Sequence, residues 1–184
     1  MDGMADCYER FLHGDAQAFA RIVTENRAGL SRYLFSFVRD MELAEELTED
    51  VFVKLWLKRP ADRKRCSFKT WLYTIGRNMA IDRVRKQNRE RSVPLDEIAE
   101  VSTGGNPPLE RYEAEETKRA LETALQSIPP AYAEALRLMY YEGFTEKEIA
   151  HILKKSVKST YNVIYRAKKS LREELLKEGF RYEI

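Results

Sequence analysis

Residues 143–172, GFTEKEIAHILKKSVKSTYNVIYRAKKSLR, decide how this chain is read, because they spell a helix-turn-helix whose second helix is apolar inside and basic outside. Thr145 can cap a first short helix, and Glu148 three residues later completes an S/T-x-x-E capping box. Ile149, Ala150 and Leu153 then share one helical face. Lys154 and Lys155 interrupt the apolar pattern, Ser156 is a good second N-cap, and Val157 is expected to fill the corner between the helices. From there Thr160, Val163, Ile164, Ala167 and Leu171 form an inward stripe. Lys158, Ser159, Tyr161, Asn162, Tyr165, Arg166, Lys168 and Lys169 lie on the other side. A short helix, a tight turn and a basic-polar second helix match the geometry that enters a DNA major groove. The plainer alternative is a basic amphipathic hairpin with a solvated face.

Working outward, helical periodicity continues almost everywhere and no alternating strand pattern appears. Helices are expected over 15–39, 41–57, 67–91, 109–127 and 131–141. Phe19, Ile22, Val23, Leu30, Tyr33, Leu34 and Phe37 turn inward in the first, and Leu43, Leu47, Val51 and Leu55 in the second. A basic loop opened by Pro60 precedes Ser67, which caps the third. Between residues 92 and 108 the character changes: VPLDEIAEVSTGGNPP carries three prolines and two adjacent glycines, and cannot continue a helix. This stretch reads as an extended acidic linker. The pattern predicts an all-α chain of two small helical domains joined by a flexible linker, with boundaries at 1–91, 92–108 and 109–184.

At 184 residues and 43% hydrophobic content, the chain can bury two small helical cores. No run approaches the roughly 18–20 apolar residues of a membrane span. The start, MDGMADCYERFLHGD, lacks the order of a signal peptide, so a cytoplasmic protein is expected. Cys7, Cys66, His13 and His151 are isolated, which argues against zinc and against a nucleophile–histidine pair. Neither catalytic residue nor cofactor nor metal is expected.

The net charge of +2 conceals segregation. Residues 1–57 hold 6 Lys+Arg against 11 Asp+Glu, and 58–91 hold 12 against 3. Residues 92–142 hold 4 against 10, and 143–184 hold 10 against 6. Two basic segments parted by an acidic one suggest two contacts with a polyanion. In the first, Trp71 and Tyr73 precede Arg77, Asn78, Arg83, Arg85, Lys86, Arg89 and Arg91 on one helix. Aromatic faces stack unpaired bases while neighbouring cations hold the backbone. Asn78 can pair with a base edge, and Asp82 can tether Arg85 or Lys86. Phe68 is read as core, and Trp71 as either core or a stacking platform.

One helix earlier, Glu45, Glu46, Glu49 and Asp50 crowd two turns. Carboxylates at this spacing bind paired metals in helical bundles, usually with histidines that are missing here. A solvated acidic face is the alternative. A third reading makes exposed Phe52 and Trp56, beside Glu49 and Asp50, a docking patch for a basic or mixed-charge helix.

Three segments, AEELTEDVFVKLW, SFKTWLYTIGRNMAIDRVRK and FTEKEIAHILKKSVKSTYNVIYRAKKSLREEL, closely resemble the extracytoplasmic-function (ECF) group of bacterial sigma-70-type RNA polymerase sigma factors. The resemblance runs from about residue 15 to 174. It implies a region 2 domain, a connector through the RNA exit channel, and a region 4 domain. Leu47, Glu49, Asp50, Phe52 and Trp56 would then meet the clamp helices of the polymerase β′ subunit, and the β flap is a further implied contact with the core. Lys64, Arg65, Trp71, Tyr73, Arg77, Asn78, Asp82, Arg83, Arg85 and Lys86 would serve the −10 element. Lys154, Lys155, Lys158, Ser159, Thr160, Tyr161, Asn162 and Arg166, in or beside the helix-turn-helix at 146–165, would serve the −35 element. An anti-sigma factor is the implied regulator. Where the family often has LGIS at the turn, this chain has Leu153-Lys154-Lys155-Ser156; a non-Gly left-handed residue there costs about 1 kcal/mol, and phosphate contact by Lys154 or Lys155 would compensate. The rival readings are a stand-alone helix-turn-helix repressor or activator, and a helical nucleic-acid enzyme using the four clustered carboxylates.

Overall fold

The chain is described by a computed structural model covering residues 3–59, 66–90, 109–177 and 179. The readings of 92–108 as a linker and of Lys64 and Arg65 as DNA contacts lie outside these residues. Eight helices and no strand occur among them: α1 (Gly3–Leu12), α2 (Ala16–Val38), α3 (Met41–Lys58), α4 (Phe68–Glu90), α5 (Leu109–Ser127), α6 (Pro130–Tyr140), α7 (Glu146–Leu153) and α8 (Val157–Lys177).

The helix ends follow local chemistry. Asp15 accepts from the backbone N–H of Gln17 and Ala18 to start α2, and Asp40 from Leu43 to start α3. Arg39 and Arg59 stop these helices in left-handed conformations. Pro130 occupies the first turn of α6, where its missing N–H costs nothing.

In the N-terminal half α2 is the axis, packed by α1, α3 and α4. Gly76 lets α4 approach α2: a Cβ there would lie 3.0 Å from Leu30 Cδ1 and 3.2 Å from Leu34 Cδ2. The first helix was absent from the pattern reading. It buries Cys7, Tyr8 and Phe11 on one face, and Tyr8 stacks near Phe68 and Trp71. In the C-terminal half α8 packs on α5, α6 and α7.

The two halves do not stand apart. α4 packs along α7 and α2 touches α6, so one hydrophobic core runs from Tyr8 and Leu34 through Tyr73 to Leu138, Phe144, Ile149 and Ile152. A smaller core of Leu125, Ile128, Ala133, Leu136 and Ala167 lies under α5.

Candidate nucleic-acid interface

The helix-turn-helix is assembled as its sequence dictates. Thr145 accepts from the Glu148 N–H, and the Glu148 carboxylate accepts from the Thr145 N–H at 3.0 Å, which closes the capping box. Lys154 ends α7 at φ 54°, the left-handed position a glycine would occupy without strain, and the Lys155 N–H returns to the Ala150 carbonyl. Ser156 accepts from the Ser159 N–H at the start of α8.

On α8 the inner stripe is Thr160, Ile164 and Ala167, all buried. Lys158, Tyr161, Asn162, Tyr165 and Arg166 are exposed on the outside, with Tyr161 at 62%. Lys154 and Lys155 are also open to solvent, and Ser159 is half-buried. Two expectations need correction. Thr160 is 0% exposed because it lies one and two turns before Ile164 and Ala167, so it cannot touch DNA. Val157 is half exposed at the start of α8 and does not fill the corner.

α4 carries the second set of candidates, and the structure divides them. Its C-terminal turns are open: Asp82, Arg85 and Lys86 are exposed, with loose ion pairs at 3.8 Å from Asp82 to Arg85 and 3.9 Å from Lys86 to Glu90. Exposed pairs of this kind contribute little, so both cations are available. Asn78 is half-buried, and Arg83 turns its Nε inward. Trp71 packs against Tyr8 and Phe68 at the edge of the core, and Phe68 is core as expected.

The N-terminal turns of α4 are covered by the C-terminal half. Tyr73, expected as a stacking ring, is fully buried, packs edge-on to Phe144 at 5.0 Å and donates its hydroxyl to Glu142. Burial, together with that carboxylate, pushes the Tyr73 phenol far above its ordinary range. Arg77 forks onto Glu134, Nε to Oε1 at 2.6 Å and Nη2 to Oε2 at 3.3 Å, and Tyr33 donates to the same carboxylate at 2.9 Å. Burial alone would lower the Arg77 pKa, but the Glu134 carboxylate outweighs it and the net shift is upward. Lys69 Nζ donates to the Glu142 carbonyl at 2.7 Å, with that residue's carboxylate at 3.7 Å and Arg32 near its other oxygen. Ser67 and Thr70 donate to Glu148 Oε1 at 3.0 and 3.1 Å.

Sequence reading missed Glu134 and Glu142, together with Arg32, Tyr33 and Lys69. The available signal was the juxtaposition of a strongly basic segment, 58–91, with an acidic one, 92–142.

The third candidate surface lies on α3. Glu49 and Asp50 are exposed, with Arg27 3.1 Å from Glu49. Trp56 is 40% exposed and is held between Phe11 and Phe19, with the Arg59 guanidinium 4.9 Å above its ring. Leu47 is buried as its inward stripe predicts, which removes it from the contacts that the resemblance implies. Phe52 departs from expectation: it is buried, at 5% exposure, because α3 turns two adjacent stripes toward α2 and α4 rather than one. The docking patch therefore contracts to Glu49, Asp50 and Trp56. No group of three or more His, Cys, Asp or Glu residues able to hold a metal occurs among the described residues. No described helix is long and apolar enough to cross a membrane.

Comparison with known proteins agrees with this layout. The Sigma-70 region 2 model matches residues 22–90, and the Sigma-70, region 4 model matches 118–171. The chain is 31% identical to the ECF RNA polymerase sigma factor SigM of Bacillus subtilis over 77% of this chain and 85% of SigM. It is 24% identical to SigW of the same organism over 88% of this chain and 91% of SigW. In fold it resembles CnrH, solved in complex with the cytosolic domain of CnrY (TM-score 0.68, 21% identity, 95% of this chain and 97% of CnrH). It also resembles the sigma factor RpoE of Bartonella quintana, solved with the anti-sigma factor NepR (TM-score 0.68, 24% identity, 88% of this chain and 98% of RpoE).

Proposed function

The chain belongs to the extracytoplasmic-function group of RNA polymerase sigma factors, and from that premise we propose how its surfaces divide the work of starting transcription. The exposed Glu49, Asp50 and Trp56 on α3 dock on the β′ clamp helices of the core polymerase. The α4 helix, through Arg77, Asn78, Arg83, Arg85 and Lys86, takes the −10 element. The helix-turn-helix takes the −35 element as duplex through Lys158, Tyr161, Asn162 and Arg166, with Lys154 and Lys155 on the flanking phosphates. Residues 1–91 and 109–184 act as the two DNA-binding domains.

The chain has no catalysis of its own in this reading; the polymerase supplies nucleotide transfer. Its contribution to opening the duplex is differential affinity. A surface that binds only bases already out of the stack shifts the melting equilibrium without a nucleotide fuel. It works in the cytoplasm, and an anti-sigma factor is the expected partner that holds it in check.

The observation that carries this reading is the α8 outer face, a continuous exposed row of basic, amide and phenolic side chains on a helix whose inner face is locked into a capped helix-turn-helix. Adding the purified chain to bacterial core polymerase should confer promoter-specific initiation. A stand-alone repressor or activator would instead select duplex sites without the polymerase and would leave initiation by the core unchanged.

A further inference from the structure

A cavity of about 350 Å³ lies where the last turns of α2 and the start of α3 meet α5 and the end of α6. Three large apolar side chains that the fold leaves partly in water converge on it. Phe35, Met41 and Tyr141 are 37, 52 and 47% exposed, and each forms part of its wall. Apolar surface gathered into a concave site of this size is the usual ground of a small-molecule pocket. None of the three is among the residues placed above on DNA or polymerase.

The charged groups around the cavity are unevenly matched. Arg32, Arg39, Lys118 and Arg137 line it together with Glu122 and Glu142, and both carboxylates are already engaged. Glu122 accepts from Arg137 at 2.8 Å and from the Tyr141 hydroxyl at 3.3 Å. Glu142 accepts from Tyr73 and lies 3.8 Å from Arg32. Arg39 and Lys118 have no ion-pair partner among the described residues, so two of the four cations are unmatched. Arg39 also ends α2 at φ 56°, a conformation that glycine adopts freely and arginine at a cost of about 1 kcal/mol. The turn itself therefore does not account for an arginine at this place.

We propose that this cavity binds a small organic anion, an aromatic ring system bearing one or two negative charges. Its rings pack among Phe35, Met41 and Tyr141, and its anionic group meets Arg39 and Lys118. A neutral apolar molecule would leave both cations unused, and a bare anion would leave the apolar wall wet. Only a molecule with both parts uses the whole lining. The walls come from α2 and α3 on one side and α5 and α6 on the other, so the occupant is held by both halves of the chain. This site stands apart from the DNA and polymerase surfaces, and its test involves neither.

Anilinonaphthalenesulfonate is the probe, because it joins a fused aromatic body to a single sulfonate and fluoresces more strongly in apolar surroundings. Titrated into the full chain, it should bind saturably at one site. Its uncharged parent, phenylnaphthylamine, should bind about tenfold more weakly, the loss expected when charge-assisted contacts at a partly exposed site are withheld. Arg39→Gln combined with Lys118→Gln should bring the sulfonate to the same weak level without altering the melting curve of the protein. Lys168→Gln, in the more open groove between α5 and α8, should leave binding unchanged. Equal affinity for the charged and neutral probes, or full binding by the double variant, overturns the proposal. Loss of binding in Lys168→Gln overturns it too, by moving the probe to the other groove.

A measurement on the unaltered chain locates the probe without relying on a variant. With isotopically labelled methionine methyl groups, the Met41 resonance should shift during the titration. Met79, packed against the core of the N-terminal half, should stay in place. Any other pattern of these two methyl groups refutes the site.

Discussion

The two helices proposed to meet DNA are alike in length and differ in how their side chains are sorted. α8 and α4 are each more than twenty residues long, but α8 is apolar on one side and cationic on the other, whereas α4 changes along its length, buried from Phe68 to Ala80 and cationic from Arg83 to Arg89. On α8 the polar side is solvent-facing throughout, and its cations have room to meet a duplex. On α4 the polar side is split: Arg85 and Lys86 are open, whereas Tyr73 and Arg77 are already engaged by the C-terminal half. An exposed cation costs little to redirect toward phosphate. A half-buried one must first leave a partner made for it, so the two helices are available to DNA under different conditions.

The comparison breaks most directly at Phe144. Its ring is buried against Tyr73 and belongs to the core shared by both halves. Phe144→Ala should cost about 3 kcal/mol of unfolding free energy in urea denaturation, by lost burial and a residual cavity. Arg77→Ala comes next, at about 2 kcal/mol, because it strands a mostly buried Glu134 with Tyr33 as its remaining donor. If Arg77→Ala proved as harmless as a substitution on the α8 face, the contrast between the helices would be lost.

Glu148→Gln should cost about 1 kcal/mol, since it weakens a helix cap and two hydroxyl contacts at once. Its pH dependence has a definite sign. Burial alone would raise the Glu148 pKa, but donors from Thr145, Ser67 and Thr70 outweigh it and hold the carboxyl below its ordinary value of 4.5. The stabilisation is therefore present above pH 4.5 and is lost as pH falls through the depressed folded value. The stability gap between the unaltered chain and Glu148→Gln should shrink over that acid range.

Smaller effects belong to the open side. Lys154→Gly should stabilise by about 0.5 kcal/mol, because the φ of 54° suits glycine better than lysine. Lys158→Ala should leave stability within about 0.5 kcal/mol. It should nevertheless weaken duplex binding and reduce the salt slope of that binding by about one. A salt slope unchanged by Lys158→Ala would remove this residue from the DNA face.

Much of this architecture was legible from pattern alone. The helix at 109–127, the Thr145–Glu148 box and the inward stripe of α8 each depend on neighbours within a turn or two, and these local rules are strong. The short α1 helix was missed because three buried residues among charges give too brief a periodic signal. Phe52 was misassigned for a different reason: periodicity identifies a face but does not say how wide a stripe its neighbours will cover. Leu47 and Thr160 are buried as their inward stripes require, and only the family resemblance made them contacts. The Glu134 and Glu142 contacts join residues 57 to 101 positions apart, and such a pairing leaves no trace in local spacing.

Glu148 divides its two oxygens between separate tasks. One oxygen holds the Thr145 cap and so keeps α7 wound, while the other receives Ser67 and Thr70 from across the molecule. The two sets of contacts are made by different atoms, so loss of the second would leave the first in place and α7 capped. A single side chain thus serves as rivet for its own helix and as clasp between the halves.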